Sequence, residues 1–310
     1  MSSTAPFEFL EVNRRAVIDV LVASSVNEAL GYLTSHHREA QVMGGGTCLM
    51  PQLQRGEIRP TRLVDVSHIG PMKRIAREEG ALLIGGAVTF GRLEGCDVIR
   101  EAAPLLYEAA SSMGTPAIRR LATLAGNVAA SIGNADGAVA LVALGAEAEV
   151  TNLTGAQWLP VRSLFVQPGV SRINPSSEIV TAFRIPTLDE GQGYALVRAK
   201  PAVPWQRAPF VLGLVLTLDD PKAKVARASV AVGWAGGIPT RLEAVERAMV
   251  GLAIASEEPA GAFGAMVRDA LVGSKAEISP ALEMDIARLA PRAFRRAVER
   301  ALQGPGVARA

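Results

Sequence analysis

Residues 40–49 read AQVMGGGTCL, a short apolar run delivered straight into three consecutive glycines. Glycine loses more backbone entropy on folding than any other residue, so a run of it is costly unless the bare backbone serves a purpose. Two purposes are open: a sharp turn, or the close approach of something bulky. At the end of a strand, backbone without side chains presents its N–H groups directly, and a cluster of them holds phosphate oxygens without any lysine or arginine. Thr47 adds a hydroxyl donor. The stretch matches neither G-x-G-x-x-G nor G-x-x-x-x-G-K-[ST], so the usual nucleotide fingerprints are absent. On these residues alone, turn and nest both remain open.

The flanks of the glycines read as a small α/β unit. In SVNEALGYLTSH, Ser25 stands where a helix cap belongs, Glu28 follows three residues on, and Ala29, Leu30 and Leu33 recur at helical spacing. RLVDVSHI predicts a strand with Val64 and Val66 on one face and Leu63 and Asp65 on the other. Further on, VIREAAPLLYEAASSM has the period of one amphipathic helix, AVALVALGAEAEVTN passes from an apolar segment into a strand, and SEIVTAFRIPT predicts a strand ended by proline. The turn-rich TLDEGQG at 187–193 predicts a domain boundary. Beyond it, FVLGLVLTLD and ARASVAVGWAG read as paired antiparallel strands connected through Pro221 and Lys222. Helices then follow in RLEAVERAMVG, GAMVRDALVG and ARLAPRAFRRAVERALQ. Alternating order in the first part and segregated order in the last predict an α+β protein.

At 310 residues the chain exceeds one small core, and with 49% hydrophobic and 20% charged residues it has material for a self-supporting fold. A net charge of +2 gives no field that steers the chain to nucleic acid. The locally basic PRAFRRAVER reads as the solvated face of a helix, with contact to a partner as the alternative. Cys48 and Cys96 are too few for a four-thiolate iron–sulfur cluster or a disulfide framework, which fits a reducing compartment. The first residues lack the order of a signal peptide and no apolar run has the length of a membrane span, so the expected location is cytoplasmic. His36, His37 and His68 lack the ligand spacing of a metal site. Cys48 reads as a small packing residue rather than a nucleophile. Trp158, Trp205 and Trp234 read as core or interface anchors.

A second stretch bears on the first. RRLATLAGNVAASIGNADGAVAL, residues 119–141, carries Thr123, Gly126 and Asn127, then Asp136 in a segment of small residues. Gly126 lets backbone approach a ligand, Asn127 both donates and accepts, and Asp136 can accept from hydroxyls or a ring N–H. The alternative is a helix cap at Asn127 or Asn134 followed by a buried apolar helix. Two glycine–threonine stretches, at 43–49 and 123–127, favour one extended ligand shared between them.

VMGGGTCLMPQL with RLVDVSHI, LLIGGAVTF, IRRLATLAGNVAAS with Asp136, and ASVAVGWAGGIPTRLEAVERAMVG together resemble the FAD-binding subunit of the molybdenum hydroxylases, the group of carbon monoxide and xanthine dehydrogenases. The resemblance runs from about residue 8 to 251. It implies a two-subdomain FAD-binding fold of the para-cresol methylhydroxylase type in residues 1–190, with subdomains of about 1–70 and 71–190. The C-terminal domain, residues 191–310, would then be α+β, with a small antiparallel sheet and helices. It also implies that the first loop, Met43, Gly44, Gly45, Gly46, Thr47, Cys48 and Leu49, holds the pyrophosphate of FAD. Thr123, Leu124, Ala125, Gly126 and Asn127 would do the same from the other side, Ala87, Val88 and Thr89 would line the cofactor, and Asp136 would face its ribityl or flavin end. No substrate acid or base is implied.

The chain departs from that family at Cys48, where a polar residue is common, at Ala125, where glycine is common, and at Leu196, where the family has lysine; Lys200 is the candidate substitute. The resemblance implies an electron-transfer subunit of an oxidoreductase complex, with molybdenum cofactor in a large partner and iron–sulfur clusters in a small one, as a heterotrimer or its dimer. Electrons would reach FAD from the clusters and leave for an external acceptor. The departures keep open a scaffold subunit that binds FAD weakly or not at all, and a third reading is a free-standing flavoprotein oxidoreductase.

Overall fold

The glycine loop sits at the carboxyl end of a parallel sheet. The computed structural model describes residues 17–189, 191–201, 207–219, 223–273 and 278–303; Trp205, Pro221 and Lys222 lie outside them. The first unit runs β1 (Asp19–Val22), α1 (Val26–Ser35), β2 (Ala40–Met43), α2 (Leu49–Gln54) and β3 (Arg62–Asp65), in a parallel sheet ordered β1-β3-β2. Ser25 caps α1 by accepting from the Glu28 N–H at 3.2 Å, while the Glu28 carboxylate turns back to Ser24 rather than to Ser25. β3 is central and covered on both faces, so Leu63 is buried along with Val64 and Val66. β1, which the alternation analysis did not find, is an edge strand of only four residues, with Val20 and Val22 turned outward.

The second unit opens with β4 (Ile75–Glu78) and β5 (Ala81–Gly85) and continues through α3 (Phe90–Glu94), α4 (Asp97–Ala102), α5 (Pro104–Ser112), α6 (Pro116–Leu121), α7 (Leu124–Ala129) and α8 (Asp136–Ala143). It ends in β6 (Glu147–Asn152), β7 (Gly155–Pro160), β8 (Phe165–Gln167), β9 (Val170–Ser171) and β10 (Ile179–Pro186). The main sheet is antiparallel in the order β4-β5-β10-β6-β7. The stretch read as one helix over VIREAAPLLYEAASSM is two, because Pro104 has no N–H to continue a helix and takes the first position of α5 instead. Every residue of α8 is buried, as befits a helix that is apolar all round.

The last unit is an antiparallel sheet β11-β12-β13-β14, from β11 (Gln192–Arg198), β12 (Phe210–Leu218), β13 (Val225–Trp234) and β14 (Thr240–Arg241). Helices α9 (Glu243–Met249), α10 (Glu258–Gly273) and α11 (Pro280–Gln303) share its second core, in which Phe210, Leu212, Phe263 and Phe294 are buried. The other face of β12 packs on α8 through Val211 and Val215. Of the arginines in PRAFRRAVER, Arg292 and Arg295 are exposed as expected, whereas Arg296 and Arg300 are not. Arg296 and Arg300, four residues apart on one face, both place Nη2 2.6 Å from the Glu108 carboxylate on α5, and Arg300 stacks 4.0 Å over the Tyr194 ring. They join the last helix to the second unit.

Candidate functional site

Between the first and second units lies a cavity of about 690 Å³, within the range of roughly 300–1,000 Å³ usual for small-molecule and cofactor sites. Met43, Gly44, Gly45, Gly46, Thr47, Cys48 and Leu49 all line it. A Cβ on Gly45 would stand 1.7 Å from the Leu121 carbonyl oxygen, and one on Gly44 would stand 2.6 Å from Thr123 Oγ1. The close neighbour that demands bare backbone at 44 and 45 is therefore the second stretch itself. Gly46 has φ +69°, a left-handed conformation that lets the chain turn into α2.

Hydrogen bonding separates the two loops. The N–H groups of Gly44, Gly45, Gly46, Thr47, Cys48 and Leu49 have no acceptor among the described residues; the first donor after them is Met50, to the Gly46 carbonyl at 2.9 Å. In the second loop the donors are satisfied internally. Leu124 N–H donates to Val88 O at 2.9 Å, Ala125 to Gly86 O at 3.0 Å and Asn127 to Thr123 O at 3.0 Å. Gly126 N–H donates to the Thr123 side chain at 3.2 Å, which makes Thr123 the cap of α7. Of this loop only the Thr123 N–H is left without an acceptor among the described residues. Asn127 Oδ1 accepts from the Ala138 N–H in the first turn of α8 at 2.9 Å, although Asn127 itself lies inside α7 and Ala135 holds the cap position of α8.

The second-loop residues that reach the cavity are Thr123, Ala125, Gly126 and Asn127; Leu124 is fully buried in the core. Ala87 lines the cavity, and Gly86 beside it does too. Val88 is fully buried, and Thr89 caps α3 by accepting from the Arg92 N–H while bridging to Thr123. Neither lines the cavity.

Asp136 lines the cavity from the first turn of α8, 5% exposed. Its Oδ1 lies 3.4 Å from Arg198 Nε on β11, without hydrogen-bond alignment; both atoms are sealed from solvent and lack a partner. Burial pushes this carboxyl up to about 6, against the opposing pull of Arg198 and, more weakly, of Arg207. Arg198 and Arg207 both line the cavity, and sequence reasoning missed them. The period of β11 offered a signal for the first, since Tyr194, Leu196 and Arg198 alternate onto one face. Leu196 is buried in the core, its N–H donating to Glu108 Oε2 at 3.3 Å. Lys200 is exposed and does not line the cavity, so the cations at the site are Arg198 and Arg207 rather than the expected lysine. Arg207 Nη2 donates to Cys48 Sγ at 3.4 Å, which gives Cys48 a polar contact that a packing residue would not need.

The arrangement offers unpaired N–H groups for an anion, apolar walls such as Ile118 and Val180, and a buried carboxylate for a hydroxyl or ring N–H. Among the described residues, no helix is long and apolar enough to cross a membrane.

Residues 15–188 match the family model described as the FAD binding domain in molybdopterin dehydrogenase. The 6-hydroxypseudooxynicotine dehydrogenase complex subunit alpha of Paenarthrobacter nicotinovorans is 28% identical over 253 residues, covering 81% of this chain and 83% of that one. The carbon monoxide dehydrogenase medium chain of Afipia carboxidovorans is 28% identical over 277 residues, covering 89% and 94%. Among solved structures, reconstituted CO dehydrogenase from Oligotropha carboxidovorans superposes with a TM-score of 0.80 at 27% identity, covering 91% of this chain and 96% of that one.

Proposed function

The chain belongs to the family of FAD-binding domains of molybdopterin dehydrogenases, and from that premise we propose that it is the electron-transfer medium subunit of a molybdenum hydroxylase complex. The observation that carries this reading is the run of N–H groups from Gly44 to Leu49, along the cavity wall, that have no acceptor among the described residues. Such a run suits a diphosphate, which needs several donors and tolerates no side chain between them and its oxygens. Thr123 adds one N–H from the facing loop, and Asp136 serves the ribityl or ring end of the cofactor.

When bound, FAD would supply the redox chemistry: a flavin can take up electrons one at a time and hold two, which suits a carrier filled by single-electron clusters and emptied by an external acceptor. The protein's own residues bind and orient it. The large partner would carry the molybdenum cofactor and the small one the iron–sulfur clusters, as the resemblance to the molybdenum hydroxylases implies; the relatives' names, a complex subunit alpha and a medium chain, fit a subunit of a larger assembly. We assign FAD binding to residues 1–190 and the sheet and helices of 191–310 to a second domain, in a cytoplasmic heterotrimer or its dimer.

Purification of the full chain tests this. The expected protein is yellow, retains FAD and co-purifies with a larger and a smaller partner from its native source. A folded, colourless chain that takes up no FAD would sink the reading, and turnover of an organic substrate by the isolated chain would favour a free-standing oxidoreductase.

A further inference from the structure

The cavity holds two guanidinium groups in different electrical states. Arg198 is paired in charge though not by a hydrogen bond: its Nε faces Asp136 Oδ1 at 3.4 Å, and the two buried charges offset each other. What that pair can offer the cavity is the second carboxylate oxygen and the terminal amino groups, an acceptor beside donors. This matches uncharged polar groups such as hydroxyls or a ring imide edge, not phosphate.

Arg207 differs. It is exposed, lines the cavity ahead of β12, and has no carboxylate within 4.0 Å among the described residues. Its side-chain contact among the described residues is with Cys48 Sγ, at 3.4 Å, which places its charge beside the loop whose N–H groups have no acceptor among those residues. A cation and a set of unpaired N–H groups side by side form a site for a dianion, because neutral donors and charge act together there.

Resting on the FAD reading above, we infer that Arg207 binds the cofactor's diphosphate together with the first loop, whereas Arg198, already paired, faces an uncharged part of the cofactor. Cys48 then acts as the contact that holds the Arg207 side chain against that loop.

The test uses full-chain protein stripped of flavin and titrated with FAD and with riboflavin, which has no phosphate, over a range of KCl concentrations. Arg207→Met should weaken FAD by about 10- to 100-fold, in keeping with loss of one charge-assisted bond, and leave riboflavin unchanged. Its FAD affinity should also fall less steeply with salt than that of the wild type. Arg207→Lys should recover part of the loss. Arg198→Met should weaken both ligands by similar factors and keep the wild-type salt dependence. Arg207→Met with wild-type FAD affinity, or with equal losses for FAD and riboflavin, would overturn the inference while leaving the FAD reading intact. A wild-type chain that binds no FAD would overturn both.

Discussion

The two glycine-containing loops touch each other, line one cavity and look alike in sequence, yet they differ in where their backbone donors go. From Gly44 to Leu49 the N–H groups have no acceptor among the described residues, whereas Leu124, Ala125, Gly126 and Asn127 each donate within the fold. Both loops would pass as nests on composition, but only the first has a run of donors to give; the second has the Thr123 N–H alone among the described residues. The second is its seat. It presses Leu121 O and Thr123 Oγ1 against Gly45 and Gly44, and its own donors fix it to Gly86, Val88 and the Thr123 cap.

Substitution at the contact breaks this comparison most forcefully. Gly45→Val places a Cβ where the Leu121 carbonyl stands, so the loops must separate; a loss of about 3 kcal/mol, at the upper end for overpacking, is expected in flavin-free protein. Denaturant unfolding without flavin measures it. A variant as stable as the wild type that merely holds less FAD would mean that Gly45 faces only the ligand.

Asp136 sharpens the comparison from the other wall through pH. Its carboxyl is raised to about 6 in the folded chain, so between the ordinary value of 3.8 and about 6 the folded state binds more protons than the unfolded one. Stability from this group is therefore highest at low pH and is lost as pH rises through that window, by roughly 3 kcal/mol in all. Asp136→Asn lacks the titration, so its stability relative to the wild type should rise by about that amount between pH 4 and 7. A difference that stays flat across that range would refute the burial of an ionising Asp136.

The two threonines give smaller effects and a direct contrast. Thr123→Ala removes the cap of α7 and should cost about 1 kcal/mol in flavin-free protein. Thr47→Ala, on the loop whose N–H groups have no acceptor among the described residues, should change stability by less than about 0.5 kcal/mol. Equal costs, read from unfolding midpoints, would erase the distinction between seat and cradle.

These differences explain how far the sequence could be read. The strand into the glycines, the cap at Ser25 and the two long strands β12 and β13 of the last sheet follow local rules of period, capping and residue type, whereas the joining of 43–49 with 123–127 and Asp136 is only favoured by residue type and comes from the family resemblance. What stayed hidden depends on partners remote in the chain. Nothing near Ala125 or Leu124 announces that Gly86 and Val88 accept their donors, and nothing near Arg198 announces Asp136, because both pairings form only when separate units pack. Arg296 and Arg300 of α11 teach the same point: helical period placed them on one face, while Glu108 on α5 decided that this face is inward. The break at Pro104 is different, since a proline at that place carries its signal locally.

Amide hydrogen exchange on the flavin-free chain, with and without added FAD, tests the distinction between the loops most directly. FAD should slow exchange across Gly44–Leu49, whose N–H groups have no acceptors among the described residues, and change little at Leu124–Asn127, where the donors are already bonded. Protection gained at Leu124–Asn127 with none at Gly44–Leu49 would contradict it.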